Sequence, residues 1–138
     1  IEETHLDIYD ATNVSSRGRN SKIIPHTLYV TSKRRGLKYV RARADDDLSY
    51  IAKEFDVTKR QLRSWNDLHK KAVIMEGDII YLQPKHKKAD KKYPQHVVRA
   101  GESLHSISQM YGVRVSSLIK RNKLATATVQ EGQVLKLR

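Results

Sequence analysis

The sequence predicts an α+β protein made of two small βααβ modules in tandem, the first extended by an N-terminal β-hairpin strand. Three observations carry this: an internal repeat, a helical apolar period inside each copy, and an alternating strand that closes each copy. Residues 48–68 read LSYIAKEFDVTKRQLRSWNDL and residues 104–124 read LHSISQMYGVRVSSLIKRNKL. A shift of 56 positions pairs Leu48 with Leu104, Ile51 with Ile107, Phe55 with Tyr111, Leu62 with Leu118 and Asn66 with Asn122. One position fewer then pairs Gly77 with Gly132 and Leu82 with Leu137. Self-similarity at a fixed spacing means that one folding unit occurs twice.

Each element follows from local pattern. A leading strand is expected near 38–43 and near 96–99. Leu48, Ile51 and Phe55 fall at i, i+3 and i+7, as do Leu104, Ile107 and Tyr111, the spacing of one helix face. Asp47 and Ser103 stand just ahead of these runs, where a short oxygen-bearing side chain caps free helix N–H groups. Gly112 suits the left-handed residue that ends a helix, and Asp56 takes that place in the first copy. A second helix places Leu62 and Trp65, or Leu118 and Ile119, inward. The last strand alternates through Ile80 and Leu82, or through Val134, Leu135 and Leu137, with one of Val134 and Leu135 facing out.

The boundaries that result are an extension over 1–36, module one over 37–83, a linker over 84–94 and module two over 95–138. Within the extension, Leu28–Val30 and Leu37–Val40, joined by SKRRG, read as a hairpin, with 28–36 its share of the extension. SSRGRNS at 15–21 is polar and expected to be flexible. The linker PKHKKADKKYP holds five lysines and two prolines. It is expected to be extended and solvated, leaving the modules without a fixed mutual orientation.

Composition narrows the function. The net charge is +12 with a mean hydropathy of −0.66, and the basic residues gather in 17–43 and 83–94. Such a chain attracts polyanions, so nucleic-acid or polyanion binding through those stretches is an alternative reading. No apolar run approaches the roughly 20 residues of a membrane span. The absence of cysteine removes disulfides, thiolate metal sites and cysteine nucleophiles. The chain opens on Ile1 without a signal-like segment and is expected to be a piece of something longer.

The string HVVRAGESLHSISQMYGVRVSSLIKRNKL, closed by VQEGQVLKL, closely resembles the LysM module of peptidoglycan- and chitin-binding proteins. The features that carry the likeness are Val98, Gly101-Glu102-Ser103-Leu104, Ile107, Tyr111-Gly112-Val113, Leu118, Asn122 and Gly132-Gln133. Copy one is a looser match, with Asp45 for the loop glycine and Asp56 for the glycine after the first helix. The run HTLYVTSKRRGLKYVRARADDDL also resembles the entry to the LysM region of glucosaminidase-type bacterial wall hydrolases, in which a catalytic domain lies upstream.

The resemblance implies binding of N-acetylglucosamine chains in a shallow groove between two loops. In module two one wall would be Gly101, Glu102, Ser103, Leu104 and His105. The other would be Leu124, Ala125, Thr126, Ala127, Thr128, Val129 and Gln130. In module one the corresponding, weaker walls would be Asp45, Asp46, Asp47, Leu48 and Ser49, facing Leu68, His69, Val73, Ile74 and Met75. Loop backbone groups can pair with the acetamido N–H and C=O, and Ala127 or Val129 can receive its methyl. The implied partner is peptidoglycan or another chitin-type glycan, met as a monomer in the cell envelope or outside the cell, with no cofactor and no metal.

Other constellations are weaker. Asp45-Asp46-Asp47 reads as helix capping, with its charge well placed at a helix N-terminus. Glu102 and Glu131 are not nominated as the paired carboxylates of a glycosidase. The six histidines lack metal-ligand spacing, and Trp65 has a core phase. The segment is therefore expected to be a non-catalytic glycan binder anchoring a cell-wall enzyme. A module with degenerate sugar grooves that holds a protein is a further alternative.

Overall fold

The computed structural model describes residues 25–138 and the backbone of Asp7–Asp10; the flexibility expected of 15–21 lies outside the described residues. The elements run β1 Asp7–Asp10, β2 Thr27–Val30, β3 Lys38–Arg41, α1 Leu48–Phe55, α2 Lys59–Trp65 and β4 Ile79–Tyr81. Module two follows with β5 Gln95–Val97, α3 Leu104–Tyr111, α4 Val115–Arg121 and β6 Val134–Lys136. Both copies are βααβ units. The expected hairpin forms from β2 and β3, and β1 adds a further antiparallel strand, giving the sheet order β1-β2-β3-β4.

The caps obey the local chemistry. Asp47 accepts from the N–H of Tyr50, and Ser103 and Ser106 form a reciprocal capping box, as do Thr58 and Gln61. Asp56 and Gly112 both end their helices in the left-handed region, at φ of 58° and 69°. Each matched asparagine has one task. Asn66 accepts from the N–H of Tyr81 at 2.7 Å and donates to its C=O at 3.0 Å; Asn122 treats Lys136 the same way at 2.7 and 2.9 Å. The amide thus stands in for a neighbouring strand along the outer edge of β4 and of β6.

Module one packs Val40, Leu48, Ile51, Leu62 and Ile80 together, with Trp65 partly buried against them. Module two packs Leu104, Ile107, Tyr111, Val113, Leu118, Leu135 and Leu137, while Val134 is the member that faces out. Burying side chains of this size is worth about 1.5–3 kcal/mol each, which is what holds units so small.

The connector differs from the extended, solvated tether expected from its lysines. His86 pairs with the Gly112–Arg114 backbone, Ala89 is fully buried in the core of module two, and its N–H donates to Leu137. Lys85 is also buried, and its ammonium donates to Ser108 Oγ and Gln109 Oε1 at 2.6 Å and lies 2.7 Å from Asp67 Oδ2. Burial lowers the pKa of Lys85, against the opposing pull of the Asp67 carboxylate.

The two modules accordingly have one mutual orientation. Tyr39 and Tyr81 lie on the sheet face opposite to Val40 and Ile80; both are fully buried, and Tyr81 reaches module two. Tyr81 donates to the C=O of Gln109, and Asp67 accepts from the N–H of Val115, serving the N-terminus of α4, which has no cap from its own Arg114. Gly112 sits so close to module one that an added Cβ would lie 2.7 Å from Leu37 Cδ1. The physical reason is that the sheet of module one is apolar on both faces, so its second face needs cover.

The hairpin turn completes the junction. Lys33 and Arg34, expected as part of a basic surface, are buried. The Lys33 ammonium lies over the rings of Tyr93 and Tyr111, and the Arg34 guanidinium over Tyr39 at 4.9 Å. Cation–π contact lets these charges leave water.

Candidate glycan-binding grooves

The first wall of each candidate groove is a tight turn between strand and helix. In module two the N–H of Glu102 donates to the C=O of Arg99 at 3.1 Å, with Gly101 at φ +82°. A positive φ at the third turn position is the type II arrangement that glycine permits. Module one closes the same turn, Asp46 N–H to Arg43 C=O at 3.0 Å, yet Asp45 is not among its positive-φ residues. Turns of types I and II differ by a flip of the central peptide. The Ala44–Asp45 amide therefore presents the reverse of what Ala100–Gly101 presents.

A buried histidine backs each turn. Glu102 Oε1 accepts from the Arg99 N–H at 2.7 Å and lies 2.8 Å from His96 Nε2, while His96 Nδ1 lies 2.8 Å from the Tyr111 hydroxyl. Burial raises the pKa of Glu102, but the His96 and Arg99 hydrogen bonds outweigh it and hold the carboxyl below its usual range. In module one Val40 occupies the register position of His96, and the ring arrives from the extension instead. His26 Nε2 lies 2.6 Å from Asp46 Oδ2, and Nδ1 lies 2.7 Å from Glu54 Oε1 and 3.2 Å from the Arg43 guanidinium. Asp46 Oδ2 also accepts from the Arg43 N–H at 2.6 Å. Burial pulls the His26 pKa down, but hydrogen bonds and charge from Glu54 and Asp46 outweigh it, leaving the pKa raised. Asp46 is thus more than a favourably placed charge, and a signal for its partner did exist: position 40 lacks the histidine found at 96.

The second walls also correspond. Asp67 and Lys123 turn the chain after the second helix at φ of 53° and 52°, and Met75 and Gln130 are held by the Asp78 and Gln133 side chains. In module two, Ala125, Thr126, Ala127, Thr128 and Gln130 are exposed, Leu124 and Val129 are half-buried on the core, and the Thr126 hydroxyl donates to Thr128 at 3.0 Å. Gly101 and Ser103 are exposed, Glu102 is half-buried, and Leu104 is a core residue with almost no surface. In module one, Leu48 is likewise a core residue. Asp45, Asp47, Ser49, His69, Val73 and Met75 are exposed.

Some assignments change. Leu104 and Leu48 anchor their walls from beneath and do not offer a face to ligand. His105 faces module one: its Nε2 lies 2.8 Å from the C=O of Asn66. Together with Leu68, Val73 and Ile74 it lines a cleft of about 490 Å³ between the modules. The structure thus joins residues that the repeat alone assigned to two separate grooves. Among the described residues no cluster of three His, Cys, Asp or Glu side chains could hold a metal, and no helix is long and apolar enough to cross a membrane.

The chain is similar to parts of several known proteins. The chain is 30% identical over 104 residues to an autolysin of Enterococcus faecalis, a match covering 69% of the chain and 14% of that protein. It is 27% identical over 104 residues to the probable peptidoglycan endopeptidase LytE of Bacillus subtilis, covering 72% of the chain and 31% of that protein. The chain therefore spans under a third of these relatives. Among solved structures it is similar to the spore cortex-lytic enzyme SleL of Bacillus cereus, at 25% identity and a TM-score of 0.33, covering 74% of the chain and 22% of that protein. The LysM domain model matches residues 40–83 and 96–138. LysM domains are binding modules for peptidoglycan and other N-acetylglucosamine glycans, found in cell-wall hydrolases, and are not themselves catalytic. With both repeats matched over more than half of its length, the chain belongs to the LysM family.

Proposed function

We propose that this chain is the glycan-holding part of a bacterial cell-wall enzyme, acting in the cell envelope or outside the cell. Module two is the stronger binder, and peptidoglycan is its principal ligand. The observation that carries this reading is the turn at Ala100–Glu102. Gly101 lets a saccharide approach the backbone closely, and the part-buried His96–Glu102 contact fixes the turn before ligand arrives, which lowers the ordering cost of binding. Opposite it, the exposed threonines and alanines of 125–128 supply hydroxyls and small apolar contacts suited to an acetamido group. In module one the reversed peptide and the Asp45 side chain argue for weaker binding.

The test is co-sedimentation with insoluble peptidoglycan at low and high salt, together with an NMR titration of the chain by N-acetylglucosamine oligomers. Retention at high salt is expected, with amides of 124–130 shifting at lower oligomer concentration than those of 69–75. The polyanion reading predicts steep loss of binding with salt through counterion release. The burial of Lys33, Arg34 and Lys85 counts against that reading. Salt-labile retention with no oligomer shifts would overturn the proposal.

A further inference from the structure

The cleft between the modules has no counterpart in a single LysM unit. One side is the loop that carries Leu68, Val73 and Ile74, and the other is the α3 face carrying His105, Ser106 and Met110. Its volume of about 490 Å³ falls within the roughly 300–1,000 Å³ of small-molecule sites. Its shape is preset, because the Lys85 ammonium, the Tyr81 hydroxyl and the Asp67 cap all tie module one to α3 and α4.

The wall chemistry selects the occupant. Val73 is 80% exposed and Met75 66% exposed, an apolar rim left in water on the loop that also forms the second wall of module one's groove. The rest of the lining is polar: Gln109 stands on the α3 side beside Ser106, whose hydroxyl is engaged in the cap with Ser103, and Arg34, Arg41 and the exposed Asp78 complete it. One apolar and one hydrogen-bonding side suit a pyranose, whose ring faces are apolar and whose edge carries hydroxyl and acetamido groups. A peptide strand does not fit the same place. The outer edge of β4 is already satisfied: Tyr81 pairs with Asn66, and the Ile79 C=O accepts from Gln109 Nε2 at 2.8 Å. Strand addition needs that edge free.

We infer that the cleft is a composite saccharide subsite, taking a neutral N-acetylated hexosamine strand that continues across the 68–78 loop from the groove of module one. This rests on the glycan-binding reading above, and it makes the docked pair of modules, not either one alone, the unit that reads strand length.

The test uses the whole chain and N-acetylglucosamine oligomers of two to six sugars, read by NMR and calorimetry. Three proteins are compared: the unaltered chain, Val73→Asp, which places a charge on the apolar rim at an exposed site, and Ala127→Asp, which blocks only the groove of module two. The expected result is that amides of Ser106 and Met110 shift together with those of Val73 and Ile74, and still do so in Ala127→Asp. Affinity should rise with oligomer length, and Val73→Asp should lower it for the longer oligomers by about tenfold while abolishing the Ser106 and Met110 shifts. Binding that leaves Ser106 and Met110 unmoved in Ala127→Asp would overturn the cleft while leaving glycan binding intact. A chain that binds no oligomer at all would overturn both.

Discussion

His26 gives the sharpest prediction, because one imidazole joins the extension to the groove wall of module one. The ring is buried between Asp46 and Glu54, whose side chains are 5% and 4% exposed, at 2.6 and 2.7 Å. His26→Ala strands two carboxylates in one pocket without their shared partner. Removing one member of a buried charge pair costs about 3–5 kcal/mol, a large share of the roughly 5–15 kcal/mol that stabilises a domain. The pH dependence has a definite sign. The folded pKa is raised, so the ion-pair contribution is complete below the unfolded value of about 6.5 and is lost as pH rises through the higher folded value. Urea unfolding followed by the fluorescence of Trp65, the single tryptophan and a module-one residue, measures this directly. The unaltered chain should lose stability relative to His26→Gln as pH rises above about 6.5, and Val40→His added to His26→Ala should restore part of the loss, since position 40 holds the register of His96. A cost below about 1 kcal/mol for His26→Ala, or a pH-independent gap to His26→Gln, would refute the reasoning.

Three further outcomes are expected. Ile107→Ala removes a fully buried side chain and should cost about 2–5 kcal/mol, collapsing module two by circular dichroism together with its glycan binding, whereas the exposed Thr126→Ala should weaken binding in a folded chain. Gly112→Ala must place a Cβ at φ +69° and 2.7 Å from Leu37 Cδ1; the left-handed penalty of about 1–2 kcal/mol and overpacking of about 1–3 kcal/mol should appear as a loss of roughly 2–5 kcal/mol in denaturant unfolding. Glu102 has a lowered pKa, so its contribution is present above the ordinary carboxyl value and lost as pH falls through the folded one; acid unfolding below about pH 4 should be steeper in the unaltered chain than in Glu102→Gln.

Sequence alone determined what depends on local period and local chemistry. The duplication, the four helices with caps at Asp47 and Ser103, the left-handed ends at Asp56 and Gly112, and the two small cores were legible, because spacings of 3.6 and 2 residues and the needs of a helix terminus are written within a few positions. The turns that bound the candidate groove of module two were legible for the same reason, since strand, turn and helix adjoin in the chain. Tertiary structure decided what joins residues far apart. The connector looked solvated because lysines seldom lose water, yet Lys85 is buried where Ser108, Gln109 and Asp67 converge on its ammonium, partners 18 to 24 positions away. His26 bears on Asp46 across 20 positions, and the sequence hints at it only through the histidine missing at position 40, without saying which residue takes its place. Tyr81 fits an ordinary strand face until its hydroxyl meets the second module at Gln109. His105, read as a ligand contact of its own module, turned toward the other one. A sheet that is apolar on both faces must find a second partner, and which surface becomes that partner is settled only when the chain folds back on itself.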